Sequence, residues 1–370
     1  MVLSYLEALP QRIAGAAWQA KTNLQPVRVA AGAGTCDINV NRRFCTPHGV
    51  RASGFNWQGA VDRTVRVIRF DTQDETPLAI IVHYACHPTI MAWENQRFTP
   101  DYPGMARRVV ERHSGGTCLF LQGAAGDVGP RAGYSGDLRD YRRAGTLLGL
   151  EAARVALTLE TLPRRQRFLS VLQSGAPIAI YAADPEEPPP TDLRMIGRSV
   201  ELPLRAVGQV VQLEAEANRL RSELMRLRSQ AAEDEIRAAT ARSTQANWRA
   251  EMARQYAGKT SVGWQIQCIR LGPIALISCP GEPFIETAQK IVAGSPFDHT
   301  LFSGYSNGGF GYIPTPRAFE EGGYEVDASP FAPEAAEVLA RESIRLLQEI
   351  AGETSTGTDR KLVSVSPIGG

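Results

Sequence analysis

The stretch Leu78-Ala-Ile-Ile-Val-His-Tyr-Ala-Cys86, followed at once by His87-Pro88-Thr89, decides the reading of the fold. It is apolar and rich in β-branched residues without a strict polar alternation, the pattern of a strand buried on both faces. Val65–Phe70 is a similar run just before it. Thr117–Leu121 follows and ends in Gln122-Gly-Ala-Ala-Gly-Asp127, and Ile274–Cys279 ends in Pro280-Gly-Glu-Pro283. Helices fit between them. Tyr102–His113 follows Asp101 as cap, with Pro103 in the first turn, and Pro283–Val292 again opens on proline. Strands alternating with helices predict a mixed α/β fold, a layered sheet core with flanking helices.

Upstream, residues 3–24 read as a helix, with Leu6, Leu9, Ile13, Ala17 and Leu24 near one face and Pro10 in an early turn. Val27–Ala31 reads as a strand. Gly32-Ala33-Gly34 lacks the third glycine and the strand–helix context of a dinucleotide loop. Residues 39–60, which carry Asn41-Arg42-Arg43, read as loop. Downstream, residues 206–257 contain no proline, and Leu213, Ala217, Leu220, Leu224 and Leu227 follow a 4-3-4-3 seam. That predicts one long helix or a helical hairpin. It serves either as a contact between copies in a homo-oligomer or as an amphipathic arm on its own domain. Asp184–Thr191, with three consecutive prolines, reads as an extended connector. The expected organisation is one domain over residues 1–352, with a helical insertion at 206–257 and a fraying Gly/Ser/Thr-rich tail at 353–370.

Composition narrows the function. The 370 residues are 43% hydrophobic and 21% charged, ordinary globular values, and Lys+Arg 40 against Asp+Glu 39 leaves a net charge of +1. Nucleic acids and anionic membranes need a clustered positive field, so neither is an expected partner. No apolar run approaches the ~20 residues that cross a bilayer. None of the six cysteines forms a C-x-x-C pair, which excludes a zinc ribbon or a thioredoxin-like motif. The first residues lack the basic region and apolar core of a signal peptide. The compartment is undetermined.

In such sheets ligands gather outside the carboxyl ends of strands. His87, Asp127 and Glu282 all stand at such ends. Each alone reads equally as a helix cap; three on one edge favour a site. Imidazole and carboxylate suit Zn²⁺, whose catalytic sites keep a position open for water and lower that water's pKa to about 7. Among the other histidines, His83 lies four residues before His87 and would share its face if the strand continued, or is a core histidine. His113 ends a helix and complements its dipole. His48 and His299 lie in loops. Gly304-Tyr305-Ser306-Asn307-Gly308-Gly309-Phe310-Gly311-Tyr312-Ile313-Pro314-Thr315 lacks the Lys-Ser/Thr of a phosphate loop. It either brings tyrosines to a reaction centre or packs as an ordinary loop.

Taken in order, several segments resemble the neutral/alkaline ceramidase family, zinc-dependent amidases of sphingolipid metabolism. They are Asn41-Arg42-Arg43, His83-Tyr-Ala-Cys-His87-Pro-Thr, Thr99-Pro-Asp-Tyr-Pro-Gly104, Leu121-Gln-Gly-Ala-Ala-Gly-Asp-Val-Gly-Pro130, Pro280-Gly-Glu-Pro283, Gly311-Tyr-Ile-Pro-Thr315 and Gly322-Gly-Tyr-Glu-Val326. The resemblance spans roughly residues 1–350. It implies His87, Glu282 and Tyr312 as zinc ligands, Tyr324 as a stabiliser of the oxyanion, and Asp127 in the loop forming one wall of the site. A nearby dication favours phenolate over phenol, so a tyrosine ligand is chemically sound.

The sequence also departs from the family. A serine once proposed as nucleophile is replaced by Gly129, so no serine acyl-enzyme is expected. The family's first segment, whose His-x-His motif supplies another ligand and a proton-transfer histidine, has no counterpart here, nor has its immunoglobulin-like domain; the chain aligns from about Val2. The expected activity is zinc-assisted hydrolysis of a linear amide, N-acyl sphingosine-like or other. The alternatives are a truncated, non-catalytic homologue that keeps the fold, or a hydrolase of another bond. Family relatives are often exported.

Overall fold

The apolar runs form strands because two sheets stack against each other and a helix layer covers each outer face. This arrangement is taken from a computed structural model, which describes residues 2–352 except Val50, Glu94, Pro189, Pro190, Gly309 and Phe310. The expected tail at 353–370 lies outside the described residues. In chain order the first half comprises α1 (Val2–Thr22), β1 (Val27–Thr35), β2 (Asn39–Cys45), β3 (Arg51–Asn56), β4 (Thr64–Thr72), β5 (Pro77–Tyr84), α2 (Asp101–Ser114), β6 (Thr117–Gln122), β7 (Val128–Pro130) and α3 (Leu138–Thr158). The second half begins with β8 (Arg164–Gln173), β9 (Pro177–Pro185), β10 (Leu193–Pro203), α4 (Val210–Leu227), α5 (Glu233–Tyr256), β11 (Ser261–Leu271) and β12 (Ile274–Ser278). It ends with β13 (Glu282–Pro283), α6 (Ile285–Ala293), β14 (His299–Ser303), β15 (Tyr312–Ile313), α7 (Pro316–Glu321), α8 (Tyr324–Asp327) and α9 (Ala335–Gly352).

The first sheet has the order β1-β4-β5-β6 and the second β10-β11-β12-β14. In each, the last pair is parallel, β5 with β6 and β12 with β14, and the other pairs are antiparallel. Ile80, Val82 and Tyr84 of β5 point towards α2 and α3, where they meet Tyr102, Val110 and Leu148. Ile81 points the other way, into an apolar seam with Ile68, Ile274 and Leu301 that joins the two sheets. Burial of both faces explains the unbroken apolar run in this strand. The outer face of the second sheet is covered by α6 and α9, with Ile266, Ile277, Ile291 and Leu347 in its core. The mixed α/β class expected from the sequence is the class observed.

Several local expectations need correction. Residues 39–60 are not loop: β2 and β3 pair there, and β2 also pairs with β7. The β2 segment has a polar sequence because its buried side chains find partners: Asn39 Nδ2 donates to the carbonyls of Asp62 and Ala85 at 2.8 and 2.9 Å. The helix expected from Pro283 starts at Ile285, because Glu282 and Pro283 pair with Tyr312 and Ile313. Asp101 lies inside α2 rather than capping it, at φ 47°, with its carboxylate accepting from the backbone N–H groups of Tyr102 and Met91. The helix at the start forms, yet Leu6, Ile13 and, beyond its end, Leu24 remain exposed. The 206–257 segment is a hairpin: Leu213, Ala217 and Leu220 of α4 pack on Ala246 and Ala250 of α5. Tyr256 at the end of α5 anchors it in the main core. No helix among the described residues is long and apolar enough to cross a membrane.

Candidate active site

The two parallel pairs end at the same place. His87 follows β5, Asp127 follows β6, Glu282 follows β12 and Tyr305 follows β14. Gly126 lets the two halves meet: its N–H donates to Pro283 O at 3.1 Å, and a Cβ there would stand 2.4 Å from Glu282 O. The turn into Glu282 needs Gly281 at φ 77°, where a Cβ would collide with the Trp264 ring.

His87 is held at both ends. Its backbone N–H donates to Val128 O at 3.0 Å, and Nδ1–H donates to Ala125 O at 2.5 Å. A carbonyl only accepts, so Nδ1 carries a proton. Nε2 faces Glu282 Oε2 at 3.2 Å. The Tyr305 hydroxyl lies 3.1 Å from Nε2 and donates to Glu282 Oε2 at 3.0 Å. His87 and Glu282 are 13% and 18% exposed and Tyr305 is 42% exposed, so the cluster opens to solvent. Burial pushes the Glu282 carboxyl up, but its bond to and the charge of His87 outweigh this and hold it below the usual carboxylate range. Burial drives the Tyr305 phenol well up, and the Glu282 charge adds to the shift.

Tyr312 occupies the same rung as Glu282 in the β13–β15 pair. Its ring meets that of Tyr324 edge-on, with the centroids 5.6 Å apart. The Arg42 guanidinium stands 5.3 Å from the centre of the Tyr312 ring. Burial raises the Tyr312 phenol, with Arg42 opposing. Burial also raises Tyr324, with the Tyr312 bond opposing. On its far side Tyr324 meets Trp248 of α5, ring centroids 5.8 Å apart, so the helical hairpin borders the site.

Arg42 is the residue that ties this cluster to the frame. A register irregularity between Asn41 and Arg43 aims both Arg42 and Arg43 at one carboxylate, Glu325. Arg42 Nη2 also donates to Gly126 O at 2.8 Å. Asp127 is buried beneath, where Oδ1 accepts from Ile285 N at 2.8 Å and Oδ2 from Asn41 Nδ2 at 2.9 Å. Burial lifts its pKa to about 7, against the bond from Ile285. Its oxygens clamp the loop after β6 to α6 and β2. A cleft of about 820 Å³ lies on the β2–β3 side and includes Asp127 but none of His87, Glu282, Tyr305, Tyr312 or Tyr324 among its walls.

The fold is similar to that of neutral ceramidases. The structure of neutral ceramidase from Pseudomonas aeruginosa matches with a TM-score of 0.57 and 18% identity, over 92% of this chain and 55% of that one. A ceramidase complexed with C2 matches at 0.55 and 18%, over 92% and 56%. This chain thus spans about half the length of those proteins, and at this identity the likeness establishes the fold alone. No family model matches the sequence, and no curated protein matches it.

Of the residues expected from the sequence, His87 and Glu282 meet directly, Tyr312 and Tyr324 stand beside them, and Asp127 supports them from below. His83 does not join. The strand ends at Tyr84, so the alternation that would align residue 83 with residue 87 stops short. His83 instead points between the sheets, with Nε2 2.7 Å from Phe302 O, and burial lowers its pKa to about 4. Sequence reasoning pointed to the segments that carry Tyr305 and Arg42 but gave neither residue a role. The strand-end rule that found His87 also locates Tyr305 once His299–Ser303 is known to be a strand. Among the described residues no group of three or more His, Cys, Asp or Glu side chains is placed to hold a metal ion; the further donors at this site are phenols.

Proposed function

We propose that the chain is a metal-assisted hydrolase of a linear amide, of the ceramidase type. The observation that carries this reading is the 3.2 Å approach of His87 Nε2 and Glu282 Oε2 at the shared strand edge. The donor set fits Zn²⁺: an imidazole oriented by the Ala125 carbonyl, an ionised carboxylate and adjacent phenols, of which the resemblance selects Tyr312. Zn²⁺ bound there supplies a Lewis acid for the amide carbonyl and acidifies water.

The chain's own residues do the rest. Burial keeps the Tyr324 phenol protonated, so it can donate to the oxygen that gains charge as the amide carbon becomes tetrahedral. The Tyr312 ring, with the Arg42 guanidinium over it, packs edge-on against that phenol. Asp127 is a positioning residue that fixes the loop carrying Ala125, and through it the His87 ring. The two similar structures are those of ceramidases, which supports an N-acyl lipid amide as the substrate class.

The test is hydrolysis of a short-chain N-acyl sphingoid amide by the zinc-supplemented protein, beside matched ester and phosphate substrates. Amide cleavage abolished by His87→Ala supports the reading. Preferred ester or phosphate cleavage contradicts the amide assignment. Zinc binding without cleavage of any substrate contradicts the enzymatic reading and favours a non-catalytic homologue.

A further inference from the structure

We propose that the β8–β9 hairpin is the arm through which two copies of this chain form a dimer. The two strands pair with each other along their length and, among the described residues, with no third strand. Every residue of β8 is exposed, and β9 is exposed or half-buried throughout. At about 3.3 Å per residue the arm is about 30 Å long. A two-stranded hairpin is only marginally stable alone in water and needs a further strand or a surface to pack on.

Its side chains call for such a surface. Phe168, Leu169, Val171, Leu172, Ile178 and Tyr181 are each 46–55% exposed. The register puts Phe168, Val171 and Tyr181 on one face and Leu172 and Ile178 on the other. Both faces are therefore apolar, and none of these side chains joins an apolar core cluster of the described residues.

Area, charge and position select a second copy as the occupant. Large side chains cover roughly 150–250 Å² each, so six that are about half-exposed offer roughly 500–600 Å² per copy. Pairing with an identical arm covers about 1,000–1,200 Å², the size at which a specific interface begins. From Phe168 to Ala183 there is no charged residue, so the arm lacks the charges by which free edge strands repel one another. Arg164, Arg165 and Arg167 precede this tract, and Asp184, Glu186 and Glu187 follow it. A flank that carries both signs is complementary to itself, as a two-fold interface requires. The net charge of +1 adds almost no repulsion between copies. The base of the arm is held by ion pairs of Arg164 with Glu75, in the β4–β5 turn, and of Glu187 with Arg28. That turn is at the opposite end of β5 from His87. Joining the arms therefore uses no residue of the candidate site.

The test is sedimentation velocity of the full chain over a range of concentrations, for wild type, Val171→Lys and Leu172→Lys, one change on each face. The expected result is a wild-type species of two 40.2 kDa chains. Each variant should weaken it by roughly 30-fold or more, the scale of a lost interface centre. Both positions are exposed in the single chain, so the unfolding midpoint of the monomer should not move. Amide exchange over residues 168–183 should be slow in the dimer and fast after dilution. A dimer that persists in both variants, or one in which exchange of the arm ignores dilution, overturns the inference. So does a wild type that stays a single chain; its flotation with phosphatidylcholine vesicles would then assign the arm to a lipid surface instead.

Discussion

Arg42 and Glu325, 283 residues apart in sequence, are joined in the interior at 3.0 Å, and Arg43 takes the other oxygen of the same carboxylate at 2.8 Å. All three side chains are about 5% exposed or less. Removing one partner of a buried ion pair leaves charge without compensation. Glu325→Gln should therefore destabilise the fold by roughly 3–5 kcal/mol, read by chemical denaturation. A loss under 1 kcal/mol would mean that water reaches the arginines.

Gly126 is a steric requirement. Any Cβ there meets the Glu282 carbonyl at 2.4 Å and the Phe284 ring at 3.0 Å. Gly126→Ala should push the two strand-end loops apart, cost about 1–3 kcal/mol and weaken zinc binding. Unchanged zinc affinity would show that the loops move independently of the donors.

Asp127 predicts a pH dependence of stability. Its folded pKa of about 7 lies above the ordinary 3.8. Between these values the folded state binds more protons than the unfolded chain, so the carboxyl's contribution falls as pH rises. The upper bound is on the order of 4 kcal/mol at neutral pH. Wild type should lose stability relative to Asp127→Asn from pH 4 to pH 7, with the difference flat above. His83 acts in the opposite sense: its folded value of about 4 against 6.5 adds stability above pH 6.5 that is lost on acidification to 4. A difference profile for Asp127→Asn that does not change with pH would contradict the burial argument.

The strand ends that bear His87, Asp127 and Glu282 were legible because strands buried on both faces leave unbroken apolar runs. The same logic hid β2. Asn39, Asn41, Arg42 and Arg43 are buried through hydrogen bonds and ion pairs with residues far along the chain, which local polarity cannot reveal. Tyr305 escaped for a related reason: β14 is five residues long, begins with a histidine and contains two polar residues, so it left no apolar signature. The helical hairpin was legible from its seam. Its contact with the site through Trp248 and Tyr324 depends on a tertiary approach that the heptad pattern does not encode.

Tyr324→Phe removes one hydroxyl beside Tyr312. If that phenol steadies the developing oxyanion, kcat should fall by roughly 10²–10³-fold, with KM and thermal stability nearly unchanged. A rise in KM at constant kcat would assign Tyr324 to substrate binding instead.

The most direct test of the account is zinc stoichiometry after purification in metal-free buffer and addition of one equivalent of Zn²⁺, compared among wild type, His87→Ala and Glu282→Ala. One zinc per wild-type chain, with little retained in either variant, is the predicted result. Equal zinc in all three proteins would contradict the claim that the imidazole and the carboxylate meet to hold a cation.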